Sequence, residues 1–264
     1  MYAMLRSLWI YRGFVISSIR NEFTAKFARS KLGALWIIIH PLVQVAIYAM
    51  ILSNVLAAKL PGIDNPYAYA IYLMAGILAW SLFAEVVNRC LGVFLEHGNL
   101  MKKIMFPRIT LPAIVVGSSL MNNFFLAVAT LGVIFLLGHS ASWTLLWLIP
   151  LTALVLAFAL GVGLVMGVFN VFMRDLGQVI PIVLQVLFWF TPIVYPATIL
   201  PEWLKVYLSY NPMYPVVEAY HAVLVYGQTP HFESLVSIVL ISVSLLGLGL
   251  FVFRKASAEM VDVL

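Results

Sequence analysis

The chain predicts an all-α integral membrane protein with six transmembrane helices and both termini on the cytoplasmic side. Composition and one pattern carry that prediction. Hydrophobic residues fill 64% of the 264 positions, charged residues only 9%, and the mean hydropathy is +1.05. A water-soluble domain of this length needs far more surface charge. The pattern is a series of apolar stretches near 33–57, 67–89, 113–137, 145–170, 178–199 and 234–253, separated by mostly basic loops. A helix crosses a hydrocarbon core of roughly 30 Å with about 20 apolar residues, and these stretches reach that length.

Charge gives the orientation. Lys and Arg in short loops stay on the cytoplasmic side. Arg6, Arg12, Arg20, Lys26, Arg29 and Lys31 precede the first stretch, and Arg89, Lys102, Lys103 and Arg108 follow the second. Arg174 follows the fourth, and Arg254 with Lys255 the sixth. Only Lys59 and Lys205 fall on the other side, beside Asp64, Glu202, Glu218 and Glu233. This bias accounts for the net charge of +5 without a nucleic-acid partner. A bacterial inner membrane fits best, and no removable signal peptide is expected. Cys90 is the single cysteine, which excludes an intrachain disulfide and a cysteine metal cluster.

The segments between spans carry the more specific information. Residues 1–32 form an expected amphipathic interface helix, with Leu8, Val15, Ile19, Phe23 and Phe27 at helical spacing and cations on other faces. It reads either as a membrane anchor or as a helix that also packs on a cytoplasmic partner. Residues 33–264 form the six-span domain. Its second connection, 92–112, predicts a short helix from Glu96 to Met105, stopped by Pro107. Leu100, Met101, Ile104, Met105 and Phe106 give that helix an apolar side, which either lies on the membrane or inserts into a partner's groove. The fifth connection is the longest and is broken by prolines. Two amphipathic pieces near 202–209 and 214–226 are too short to cross, and form either a re-entrant pair or helices on the outer surface.

Chemical motifs are sparse. No GxxxxGK[ST] loop is present, so the chain is not expected to hydrolyse ATP; HExxH and GxSxG are absent, and the five histidines are scattered. No catalytic residue and no metal site are expected, and this chain is read as a transporter subunit rather than an enzyme. Glu85 is the one clear ionisable residue inside a span, with Arg89 one helical turn away. The pair reads as structural neutralisation or as a proton-coupling element. Aromatics are abundant. Tyr48, Trp80, Phe83, Phe169, Phe172, Phe188, Trp189 and Tyr195 lie in or near spans, and read either as helix packing or as stacking surfaces for sugar rings. The near absence of charge in the spans argues against an ion-selective pore.

The run FNVFMRDLGQVIPIVLQVLFWFTPIVYP, followed by LPEWLKVYLSYNPMYPVVEAY, resembles the membrane subunit of type 2 ABC exporters for surface polysaccharides. The Wzm-like O-antigen exporter permeases are the match, with capsule and teichoic-acid export permeases as near relatives. It runs through nearly the whole chain. The resemblance implies a homodimeric permease that binds two copies of a cytoplasmic ABC ATPase, with ATP and Mg held on that partner and no cofactor on this chain. It implies a coupling helix seated in the ATPase, contacting it through Glu96, Leu100, Lys102, Lys103, Phe106, Pro107 and Arg108. It casts 197–228 as periplasmic gate helices, and the aromatics above as lining for a channel at the dimer centre. The implied substrate is a polyprenyl-pyrophosphate-linked glycan. A type 2 permease for a lipid, teichoic acid or drug is the alternative. An enzyme acting on polyprenyl-linked sugars would need a cluster of acids or histidines at one membrane face, and the sequence offers isolated ones.

Overall fold

The computed structural model describes residues 2–27, 68–103, 106–136, 143–257 and 259–263, with short pieces between 32 and 47. The expected first span at 33–57 falls largely outside the described residues, as do Tyr48, Ile104, Met105 and the side chain of Lys103. Among the described residues all regular secondary structure is helical: α1 (Tyr2–Ile10), α2 (Arg12–Phe27), α3 (Ala68–Glu96), α4 (Gly98–Lys103) and α5 (Thr110–Leu136). A 3₁₀ turn (Trp143–Trp147) leads into α6 (Leu148–Phe172), then come α7 (Leu176–Phe190), α8 (Glu202–Leu208), α9 (Tyr214–Leu224), α10 (Phe232–Ala256) and α11 (Glu259–Val263).

Four of these helices are long and apolar enough to cross a membrane: α3, α5, the continuous 143–172 helix and α10. They coincide with the second, third, fourth and sixth expected spans. The fifth expectation needs correcting. A helix was expected over 178–199, but α7 stops at Phe190, fifteen residues long. At 1.5 Å per residue it rises about 22 Å, short of the hydrocarbon core of roughly 30 Å. Pro192 explains the stop: proline disfavours helical geometry in the residue before it, and Thr191 is extended at φ −102°, ψ 132°. The second helix errs the other way. No proline follows Arg89 until Pro107, and the single Gly92 does not stop the helix, so α3 continues to Glu96, the expected start of the short helix.

The bundle is built around α3. Its apolar stretch is 78% buried, against 28% for α5 and 17% for α10. Helix α6 lies between α3 and α10, and glycines set how closely they approach. A Cβ on Gly163 would sit 2.7 Å from Cys90 Cβ, and one on Gly161 would sit 2.7 Å from the Leu246 backbone nitrogen. Gly167 meets the Cys90 carbonyl more closely still. Gly163 and Gly167 are four residues apart and share one helix face, the small-xxx-small spacing that lets membrane helices touch along their backbones. Buried amides fasten α3 to both neighbours: Asn170 of α6 donates to the Leu91 carbonyl at 2.8 Å and Asn123 of α5 to the Leu78 carbonyl at 3.0 Å.

The amino-terminal arm is two helices, with a break at Tyr11. Arg12 stacks over Trp9 at 4.9 Å and donates to its carbonyl at 2.9 Å. Helix α2 packs on α5, with Ile19 against Gly117 and Phe23 stacked on Phe125 at 5.6 Å. Trp9, Ile10 and Ile16 remain exposed, so apolar surface is still left over for lipid or a partner.

Candidate functional site

Two ends of the bundle and one polar cluster between them bring together the residues that the sequence singles out. At the α4 end, α3 turns at His97 into α4, which packs against α3 and α11. Met101 is spent inside the fold at 6% exposure, and Leu100 is half-buried. Glu96 and Lys102 are exposed. Phe106 packs on Phe14 of α2, with ring centroids 5.9 Å apart, and Arg108 donates to the Ser257 hydroxyl at 3.0 Å. The apolar side expected to face a partner is thus partly committed to the protein itself. Glu96 and Lys102 stay outward, whereas Phe106, Pro107 and Arg108 are half-buried against α2 and the segment after α10.

The Glu85–Arg89 pair forms as expected, with Arg89 Nη1 3.6 Å from Glu85 Oε1. It belongs to a larger cluster that the sequence reading missed. Arg89 donates more closely to Glu22 of α2. Ser118 donates to Glu22 at 2.8 Å, and Glu85 accepts from Asn122 at 2.7 Å and from Ser119 at 3.2 Å. One guanidinium therefore serves two carboxylates on different helices, with hydroxyl and amide donors filling the remaining acceptor positions. A signal was available: Glu22 is the single acid among the first 63 residues, in a segment otherwise full of cations.

At the opposite end, residues 191–196 form a hook held by α3. Tyr69 donates to the Val194 carbonyl at 2.5 Å, and the Tyr72 hydroxyl lies 3.0 Å from the Pro192 carbonyl and 3.2 Å from that of Tyr195. Asn211 donates to Thr191 Oγ1 at 2.9 Å and to the Phe190 carbonyl at 3.2 Å, and accepts from the Met213 amide at 3.0 Å. The FTPIVYP and YNPMYP segments are therefore one unit. The two amphipathic pieces beyond it are helical as expected, at α8 and α9. Helix α9 is fixed to the bundle: His221 stacks on Tyr72 with ring centres 3.6 Å apart, and its Nε2 donates to the Tyr72 carbonyl at 3.1 Å. Burial pushes the His221 imidazole down to about 3, so it is neutral at physiological pH.

The aromatics divide into two groups. Trp80 and Phe83 are buried in helix packing: Phe83 stacks on Phe158 at 5.2 Å, and Trp80 meets Phe188 edge-on at 5.7 Å. Phe169, Phe172 and Trp189 are exposed, and Phe188 and Tyr195 are half-buried. An apolar cavity of about 400 Å³ lies between α7 and α8, lined by Val183, Val186, Phe190, Leu204 and Tyr207 among others. Among the described residues no group of three or more His, Cys, Asp or Glu could hold a metal.

Apolar helices gathered around α3, four of them long enough to cross a membrane, with a short helix packed at one end and a hook at the other, make this a multi-pass membrane protein. The chain belongs to the ABC-2 type transporter family, whose sequence profile matches residues 15–225. It is similar to the O-antigen export system permease protein RfbA of Myxococcus xanthus, 28% identical over 99% of each chain. It is also similar to the protein of the same name from Klebsiella pneumoniae, 27% identical over 92% of each chain. The polysialic acid transport protein KpsM of Escherichia coli is 25% identical, over 91% of this chain and 92% of its own.

Proposed function

We propose that this chain is the membrane permease of an ATP-driven exporter that carries a polyprenyl-pyrophosphate-linked polysaccharide, O-antigen or a similar polymer, out of the cytoplasm. The observation that carries the reading is likeness over essentially the full length to permeases named for polysaccharide export. In this account the protein sits in a bacterial inner membrane with both termini inside and six spans, the fifth made of the short α7 together with the hook at 191–196. Two copies form the channel, and two copies of a separate ABC ATPase bind the α4 face.

The arrangement suits such a machine. Helix α4 is a rigid handle: its displacement pulls on α3 through the continuous chain at His97, on α2 through Phe106 and Phe14, and on α10 through Arg108 and Ser257. Closure of ATP-loaded partner subunits would push that handle. Glu96, Leu100, Lys102 and Lys103 are the direct contacts in this reading, and Phe106, Pro107 and Arg108 pass the movement on. At the other end the 197–228 segment acts as the gate, re-entering the outer leaflet. Basic residues at the inner mouth guide the pyrophosphate, whose concentrated negative charge favours them. Tyr48, Phe169, Phe172, Phe188, Trp189 and Tyr195 offer rings on which successive sugars slide, with Trp80 and Phe83 packed behind Phe188.

The experiment is deletion of the gene in its host, with surface and internal glycan measured. Loss of surface polymer with accumulation of lipid-linked polymer inside, reversed by the gene, is the expected result. Unchanged surface glycan would reject the assignment. One observation favours a second reading, a lipid or drug substrate: the apolar cavity between α7 and α8 would accept an acyl chain. In that case deletion would alter membrane lipids or drug resistance and spare the glycan.

A further inference from the structure

Beside the hook at the outer end lies a second cavity, of about 340 Å³, and its lining differs in kind from that of the α7–α8 groove. Tyr72, Tyr214, Glu218, Tyr226, Gln228 and His231 contribute to its walls, together with the 196–198 backbone segment. Among the described residues no Lys or Arg takes part. The floor is rigid. Tyr72 is clamped by its hydroxyl contacts to the hook and by the stacked His221, so the α3 side of the cavity is formed before any ligand arrives. The rim is more open: Tyr226 and Gln228 are exposed on the turn at Gly227, whose φ of +62° is a conformation that glycine adopts readily.

We propose that this cavity is a binding site for a mono- or disaccharide unit of an uncharged glycan, which holds the exported polymer briefly as it leaves; the proposal rests on the export reading above. The chemistry fits that ligand class. Tyrosine rings offer apolar faces for the C–H surfaces of pyranoses, while phenol, carboxylate, amide and imidazole groups can exchange hydrogen bonds with vicinal hydroxyls. The Glu218 carboxylate accepts from hydroxyl pairs and repels anions. With no cation among the described lining residues, a phosphate or a uronate would lose its hydration there without compensation. The volume lies at the small end of the range of about 300–1,000 Å³ usual for ligand sites, which suits a short stretch of sugar, and the polar groups in the wall set it apart from the apolar α7–α8 cavity.

The test uses the permease purified with its ATPase in lipid nanodiscs and saturation-transfer NMR. The probe is polysaccharide freed from the host cell surface by mild acid, with polygalacturonate as the acidic comparison. The wild-type complex is expected to give a signal from the host polymer and little from polygalacturonate. Tyr226→Ala is expected to reduce that signal several-fold, and Glu218→Gln, which preserves shape, to weaken it. Both residues are exposed, and equal yield of assembled complex checks that the variants fold. An absent wild-type signal, an unchanged signal in both variants, or equal binding of polygalacturonate would overturn the proposal. Gene deletion separates the two claims. Surface glycan that survives deletion defeats the export reading itself, whereas glycan lost on deletion with unchanged binding by the variants defeats only this site.

Discussion

Asn211 donates its side-chain amide to the Thr191 hydroxyl at 2.9 Å, and so ties together two proline turns separated by a short helix. Both residues are buried, and Thr191 in turn donates to the Leu187 carbonyl at 2.7 Å. The bond fixes where α7 ends and where α9 begins.

Asn211→Leu is therefore expected to destabilise the protein by about 1–3 kcal/mol, because it leaves the Met213 amide and the Phe190 carbonyl without their buried partner. Thr191→Val should cost less, since Asn211 keeps its carbonyl acceptor. Thermal unfolding of the detergent-solubilised variants, followed by aggregation onset, gives the comparison. Equal midpoints for Asn211→Leu and wild type would show that the bridge contributes nothing.

The glycine face of α6 makes a sharper prediction. Gly163→Leu forces a side chain into Cys90, and is expected to cost about 1–3 kcal/mol or more through overpacking. Gly247→Ala meets nothing within 4 Å and should be neutral. Fluorescence-detected size exclusion of tagged variants separates the two. A folded, monodisperse Gly163→Leu would contradict the packing of α3 on α6.

Arg89 is shared between two carboxylates, so its removal should hurt more than the loss of either acid. Arg89→Ala is expected to lower the yield of folded protein below that of Glu22→Gln, and Glu85→Gln placed on Arg89→Ala should restore part of it. If Glu22→Gln proves as damaging as Arg89→Ala, the shared-cation arrangement is wrong.

His221 gives a pH dependence of known sign. Its ordinary value of 6.5 applies in the unfolded chain, and burial lowers it to about 3 in the fold. Below pH 6.5 the unfolded state therefore binds a proton that the folded state refuses. The stability this histidine lends is complete above that pH and declines as pH falls toward 3. His221→Gln should flatten the melting curve over that window, and an unchanged pH profile would remove His221 as its source.

Hydropathy reached the four long helices because each is long and mostly apolar. It overran at α7 because Leu187 to Tyr195 is apolar but for Thr191, and hydropathy does not register that Pro192 turns the backbone of Thr191 extended. The Glu85–Arg89 pair was legible because its members share one helix at i,i+4. Glu22 was not, because it meets Arg89 across 67 residues and no local spacing encodes that distance. Phe106 and Arg108 read as outward contacts because nothing in the sequence shows Phe14 or Ser257 waiting for them. Lys102 kept its exposure, so Lys102→Glu with Lys103→Glu remains the direct probe of the ATPase contact. The double variant is expected to lose most of its co-purifying ATPase, and normal assembly would remove α4 as the contact.

Movement of the polymer itself tests the central claim most directly. Inverted inner-membrane vesicles carrying this permease and its ATPase would be loaded with lipid-linked host polymer on the outside, then treated with a glycosidase that cannot cross the membrane. The account predicts that ATP makes the polymer resistant to digestion, and that vesicles lacking the permease show no such protection. Polymer that stays fully digestible with ATP present would contradict it.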